Sequence, residues 1–238
     1  MHKKKHKIYL GLTTTRKSLW QDKIKEINEL KLEEIAVFPT TLEKKERWQL
    51  YNALLDTPIK YVPFLHLRQD SEWEEIEFFT NNFKTKLFNV HPGKETMLNF
   101  KNFPNRKTEI FVENTDINSD FRKSVSYFAG ICLDVSHWED YGMLQKEPGY
   151  GGFAEILSDH KVGFAHLTSV RKKPYRRDYG KFGHYPWHYS AHFMEKPSDF
   201  EYLKKYREYL PEVMGVELEN PLTEQLKAKK YIEDKVLT

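Results

Sequence analysis

Short apolar runs alternate with longer segments of helical spacing along almost the whole chain, and this repetition restricts the fold more than any single motif. The run KIYLGL (7–12) precedes a segment that sets Leu19, Ile24, Ile27 and Leu30 at roughly helical spacing. EEIAVFP precedes TLEKKERWQLYNALL, KYVPFLHLR precedes SEWEEIEFFTNNF, and KLFNVHP precedes GKETMLNFKNF. IFV and GICL follow within 109–138, and KVGFAHLTSV and VMGVELEN supply a seventh and an eighth run. Capping boxes of the form S/T-x-x-E/Q, at Ser18 with Gln21, Thr40 with Glu43, Ser71 with Glu74 and Ser198 with Glu201, place four helix entries. Asn220 and Pro221 suit the cap and first position of a last helix reaching about Val236.

Eight β-α units in 238 residues predict an α/β fold, a single-domain (β/α)8 TIM barrel over 8–238, behind a basic N-terminal tail of residues 1–7. The balance of 38 Lys+Arg against 35 Asp+Glu leaves +3, too small a surplus to argue for nucleic acid, which stays a minor alternative. The single cysteine, Cys132, forms no internal disulfide, so a cytoplasmic setting is expected. Flanked by Ile131 and Leu133, its thiol reads as buried and inert. The apolar run after HKKKHK is too short for a signal or membrane segment, and no membrane partner is expected.

Active sites of such barrels gather at the carboxyl ends of the strands. The polar residues falling there are His66, His91, Glu113, Asp134 with His137, His166, and Glu217 with Glu219. A carboxylate at the mouth of a buried strand needs a partner or a metal, because an unpaired buried charge is costly. Imidazole and carboxylate together suit a divalent ion such as zinc, manganese or cobalt. Glu217 and Glu219 share a strand face, so either could be the ligand. Glu34 begins the second strand, at the opposite face, and is expected to serve structure there. The competing account of the carboxylates is a salt-bridged network with Arg68 or Lys86.

The segments FNVHPG (88–93), FVENT (111–115), CLDVSH (132–137), AHLTS (165–169) and VELEN (216–220) resemble, in order, the strand-end signatures of the xylose isomerase-like barrels. That superfamily includes sugar epimerases, inosose dehydratases and endonuclease IV-type repair enzymes. The resemblance implies one divalent metal (Mn, Co, Zn or Mg) on Glu113, Asp134, His166 and Glu217, with His137 beside Asp134 binding substrate or a further metal and His91 lining the same pocket. It further implies that Glu113 and Glu217 are catalytic, exchanging a proton beside a substrate carbonyl while the metal steadies the enediolate. The substrate expected is a small sugar or sugar phosphate, with isomerase, epimerase or dehydratase chemistry. Two departures set the chain apart from the endonuclease IV branch. That branch has a histidine two residues before the proline of strand 3, where Tyr61 stands here, and an Asp-x-His pair after strand 7 that is absent between Arg171 and Pro197.

The basic, aromatic segment RKKPYRRDYGKFGHYPWHYSAHFMEKP follows the seventh run, and Arg171 offers bidentate contacts to a substrate phosphate. His184, His188 and His192 recur at four-residue steps, but Gly183 and Pro186 disfavour a helix, so a wet lid over the substrate is expected, with Phe182, Tyr185 and Trp187 for stacking. His66, His91, His137, Arg171, His184, His188 and Glu219 are thus the candidate substrate-binding residues. The alternatives are a zinc-dependent phosphodiester hydrolase and a barrel that binds metal or sugar without turnover.

Overall fold

The computed structural model describes residues 6–14, 19–176 and 187–238; His184, Phe182, Tyr185 and the Ser18 capping box lie outside them. The strands are β1 (Lys7–Tyr9), β2 (Gly11–Thr13), β3 (Ala36–Phe38), β4 (Phe64–His66), β5 (Leu87–Val90), β6 (Ile110–Glu113), β7 (Ile131–Asp134), β8 (Val162–Leu167), β9 (Ser169–Arg176), β10 (Trp187–Ala191) and β11 (Val213–Val216). Nine of them form one parallel sheet in the order β1-β11-β8-β7-β6-β5-β4-β3-β2, and β9 and β10 form a separate antiparallel hairpin. Only Leu10 separates β1 from β2, so the sheet curls into a nearly closed barrel whose two edges are consecutive in the chain.

The first run, expected as one strand, is therefore two. It pairs with β11 through Tyr9↔Gly215 and then with β3 through Gly11↔Ala36. At this seam a β-carbon on residue 11 would fall 2.0 Å from the Val216 carbonyl oxygen, which only glycine avoids. The buried Gln225 amide accepts from the Gly11 N–H at 2.8 Å and donates to its carbonyl at 3.0 Å, satisfying backbone that would otherwise be orphaned.

Helices follow most strands: α1 (Trp20–Leu30), α2 (Lys44–Leu55), α3 (Trp73–Phe83), α4 (Lys94–Phe100), α5 (Arg106–Glu109), α6 (Ser119–Tyr127), α7 (Val135–His137), α8 (Phe153–Asp159) and α9 (Leu222–Tyr231). A π-helical turn spans Trp138–Leu144, and Pro197–Tyr209 winds as a 3-10 helix where an α-helix from Ser198 was expected. The caps shift as well. Glu72, not Ser71, begins α3, in a reciprocal box with Glu75, because the Ser71 hydroxyl is taken by the Arg68 N–H. Asp199 accepts from the Glu195 and Lys196 N–H groups in place of a Ser198 box, and the N-cap positions of α2 and α9 fall on Glu43 and Pro221 rather than Thr40 and Asn220, neither with a side-chain cap bond. No helix among the described residues is long and apolar enough to cross a membrane.

Strand side chains alternate between two cores. Leu12, Val37, Leu65, Val112, Leu133, Ala165 and Val216 pack outward against the helices. Tyr9, Ala36, Phe38, Phe64, Phe111, Cys132 and Phe164 fill the barrel interior. Phe64 stacks on Phe164 with centroids 4.5 Å apart, in space that Gly215 leaves open. Two residues beyond this aromatic floor, on the same inward face, stand His66, Glu113, Asp134, His166 and Glu217. Glu34 lies at the other end, paired with Lys7 at 2.6 Å in the structural role expected of it.

Candidate metal centre

Glu113, at the last position of β6, is the hub of this upper layer. His66 Nε2 lies 2.9 Å from its Oε2, His166 Nδ1 3.4 Å and His91 Nε2 3.7 Å, while His137 Nδ1 lies 3.7 Å from Oε1. Asn89 donates to Oε2 at 2.9 Å. Burial opposes ionisation of Glu113, but the surrounding imidazoles of His91, His166 and His66 outweigh it and hold the carboxyl well below the usual carboxylate range.

The His66 ring is oriented from behind, its Nδ1 2.9 Å from the Leu67 carbonyl. A proton on Nδ1 donated to that carbonyl leaves the Nε2 lone pair facing Glu113 and, 3.2 Å away, His91 Nε2. The triangle of 2.9, 3.2 and 3.7 Å formed by the three atoms has corners about 2 Å from one common point, a zinc–nitrogen or zinc–oxygen bond length. The His91 side chain is 54 % exposed at the rim; desolvation, with a smaller effect of the neighbouring histidines, lowers its pKa to about 4 against the opposing pull of Glu113.

The second set lies deeper. His166 Nδ1 is 3.4 Å from both Glu113 Oε2 and Glu217 Oε2, the edge length of a tetrahedron with ~2.1 Å bonds. Asp134, 1 % exposed, caps α7: its Oδ1 accepts from the Ser136 N–H and hydroxyl, both at 2.7 Å. Its Oδ2 is buried without a hydrogen-bond partner among the described residues, as are His166 Nδ1 and His137 Nδ1. Buried polar atoms are rarely left so. Ligand atoms of Asp134, His166 and Glu217 converge within 4.8 Å, as do those of Glu113, Asp134 and His137 and those of His66, His91 and Glu113. The donor set and its orphaned atoms thus fit divalent cations. His166 is aimed by Cys132, whose Sγ sits 3.2 Å from Nε2, and by the Phe64 ring stacked 5.6 Å away. Burial and the nearby carboxylates push the Cys132 thiol well up, in keeping with the inert reading.

His66, His91, Glu113, Asp134, His137, His166 and Glu217 therefore converge. Histidines, not Arg68 or Lys86, surround Glu113, and Arg68 pairs with Asp70 instead. Other expected residues are placed elsewhere. Glu217, not Glu219, belongs to the converging groups; the Glu219 N–H donates to the His192 carbonyl at 2.6 Å. His188 is buried against Asp140 and Tyr141 rather than open to substrate. Arg171 lines a separate cleft with Lys172, Lys173 and Lys196, paired with Glu195 at 3.3 Å. The expected lid is, in its described parts, the β9–β10 hairpin, and Asp140 fastens it by accepting from the Tyr189 and Ser190 N–H groups and the Ser190 hydroxyl. Asn89 goes unnamed in the sequence reading, and His192, placed there in the lid but not among the binding residues, lies 3.8 Å from Glu217 Oε1. Asn89 was findable, since it alternates with His91 along KLFNVHP. The departure at Tyr61 costs no histidine, because His66 reaches Glu113 from the strand end. No protein-family model, curated protein or solved structure matches this chain.

Proposed function

We propose that the protein is a divalent-metal-dependent enzyme of the xylose isomerase-like kind, acting on a small sugar or sugar derivative by isomerisation or epimerisation. In this reading β1 and β2 are halves of one strand, so that the nine strands occupy the eight positions of a (β/α)8 barrel. The observation that carries it is the pair of buried carboxylates, Glu113 and Glu217, each 3.4 Å from His166 Nδ1, beside Asp134 Oδ2, which has no hydrogen bond among the described residues and lies 3.5 Å from His137 Nε2. Glu113, Asp134, His166 and Glu217 would hold the ion. Bound there, it would polarise a substrate carbonyl and offset the charge of an enediolate. Glu113 and Glu217 would be the pair that moves the proton, one taking it from the neighbouring carbon and the other giving one back, on the opposite face for epimerisation. The aromatic floor of Phe38, Phe64 and Phe164 keeps water from reaching the carboxylates from below.

A second reading, phosphodiester hydrolysis with two or more zinc ions, is favoured by the further donor triangle of His66, His91 and Glu113. Elemental analysis of chain purified without chelator, followed by proton NMR of aldoses, ketoses and their phosphates in D2O, separates the two. One ion per chain and deuterium incorporation beside the carbonyl, lost in Glu217→Gln, is the expected result. Two or three zinc ions with cleavage of abasic DNA and no exchange would transfer the assignment to the hydrolase. No metal after incubation with manganese, cobalt or zinc would overturn both.

A further inference from the structure

A cavity of about 240 Å³ opens in front of His66 and His91, walled also by Thr40, Leu67, Arg68 and Gln69. At ~30 Å³ per water it has room for about eight, enough for the end of a small metabolite and short of a typical drug-sized site. Among the described residues its wall carries one permanent cation, Arg68, and no carboxylate.

The Arg68 guanidinium is held in place from behind. Nη1 donates to the Thr40 carbonyl at 2.7 Å and Nε to Asp70 Oδ1 at 3.2 Å. Asp70 divides its charge with Arg47, which also holds the fully buried Glu75. Nη2 makes no hydrogen bond among the described residues; it lies 3.9 Å from Glu43 Oε1, on a side chain 82 % exposed to solvent. Water screens such a pair strongly. A planar donor fixed on two of its nitrogens and left open on the third loses little freedom when it takes an anion. Gln69, next in the chain and exposed, lines the same cavity. The Thr40 hydroxyl is already committed to the Thr14 carbonyl at 2.9 Å.

We infer that this cavity binds an oxyanion, with Arg68 Nη2 as its charged contact and the Gln69 amide as a second donor. The substrate is then an anionic sugar, a phosphate ester or a sugar acid, rather than a neutral one. This assignment rests on the reading of the His66–Glu217 rim as the substrate site. It also moves anion recognition from Arg171, where the sequence pointed, to the loop after β4. Phosphate and carboxylate share the chemistry, and the test distinguishes them.

Inorganic phosphate and acetate are titrated separately into the metal-free full chain by calorimetry, which keeps the outcome independent of whether the centre takes metal. Saturable one-site binding is expected for at least one anion. Arg68→Gln weakens it tenfold or more, and Arg171→Gln leaves it unchanged. Tighter phosphate indicates a phosphate ester; tighter acetate indicates a sugar acid. Gln69→Glu, which places a carboxylate in the cavity from an exposed position and leaves the Thr40 and Asp70 contacts intact, gives the same loss should Arg68→Gln fail to fold. No binding of either anion by the wild-type chain, binding unaltered in both cavity variants, or a loss confined to Arg171→Gln would overturn the assignment. Metal content equal to wild type in Gln69→Glu is expected, so that a failed anion site and a failed metal centre read out separately.

Discussion

Replacing Gly215 by alanine tests whether the aromatic floor holds the centre above it. The added methyl would lie 2.3 Å from Cζ and 3.0 Å from Cε1 of Phe64, and 3.2 Å from the Ala36 methyl. Phe64 cannot swing aside: it is fully buried, stacked on Phe164, edge-on to Phe38 at 5.5 Å, and below the His166 ring. Overpacking of a tight core costs ~1–3 kcal/mol, and the stiffer unfolded chain of an alanine variant returns ~0.4–1 kcal/mol of it. A net loss of about 1–2 kcal/mol lowers Tm by about 2–8 °C in a chain of this size. Because Phe64 backs His166, affinity for added zinc falls in the same variant. Thermal unfolding followed by circular dichroism, with zinc titration of the folded protein, measures both. Phe64→Leu in the Gly215→Ala background relieves the clash, so the double variant is more stable than additivity predicts by ~0.5–3 kcal/mol. Wild-type stability of Gly215→Ala, or strict additivity with Phe64→Leu, would refute the inward phase assigned to β4 and β11 and the support it lends His166.

Asp134→Asn keeps an oxygen for the Ser136 and His137 N–H groups, and Asn caps helices about as well as Asp, so it is expected to fold normally while losing bound metal on elemental analysis. Arg47→Met strands Glu75, which is fully buried and keeps the Tyr51 hydroxyl at 2.8 Å and the Glu72 N–H at 3.2 Å but no cation, and should cost ~3–5 kcal/mol in urea unfolding. Adding Glu75→Leu should recover most of that loss. Burial of Asp140 opposes its ionisation, but His188, the Ser190 backbone and Gln145 more than offset this and lower its pKa in the folded chain. Its contribution is therefore present above the unfolded carboxyl pKa of ~3.9 and lost as pH falls through the lower folded value. Asp140→Asn should narrow its stability gap to wild type between about pH 5 and pH 2, measured as urea midpoints. A gap independent of pH would show that the carboxylate charge does not hold the hairpin.

Much of the barrel was legible because its signals are local. An apolar run short enough for a strand, followed by helical spacing, requires only neighbouring residues, and period-two alternation puts Glu113, Asp134, His166 and Glu217 two residues past Phe111, Cys132, Phe164 and Gly215. Helix entries were placed to within a residue or two rather than at the exact cap, since serine hydroxyls compete for nearby N–H groups, as Ser71 does with Arg68.

What the sequence determined by itself was the order of elements and the set of chemical groups sent to one rim. Closure decided the rest. Whether His66 or Tyr61 serves the centre, whether Glu217 or Glu219 joins it, and that His188 turns to Asp140 while His192 reaches Glu217 depend on contacts between residues 25 to 50 or more positions apart. The first strand splits where Gln225, 214 residues from Gly11, hydrogen-bonds both backbone groups of that glycine. Spacing along a strand specifies a face, but the angular position of that face around the barrel is set only when every strand has its register, and that is a property of the closed sheet rather than of any segment in it.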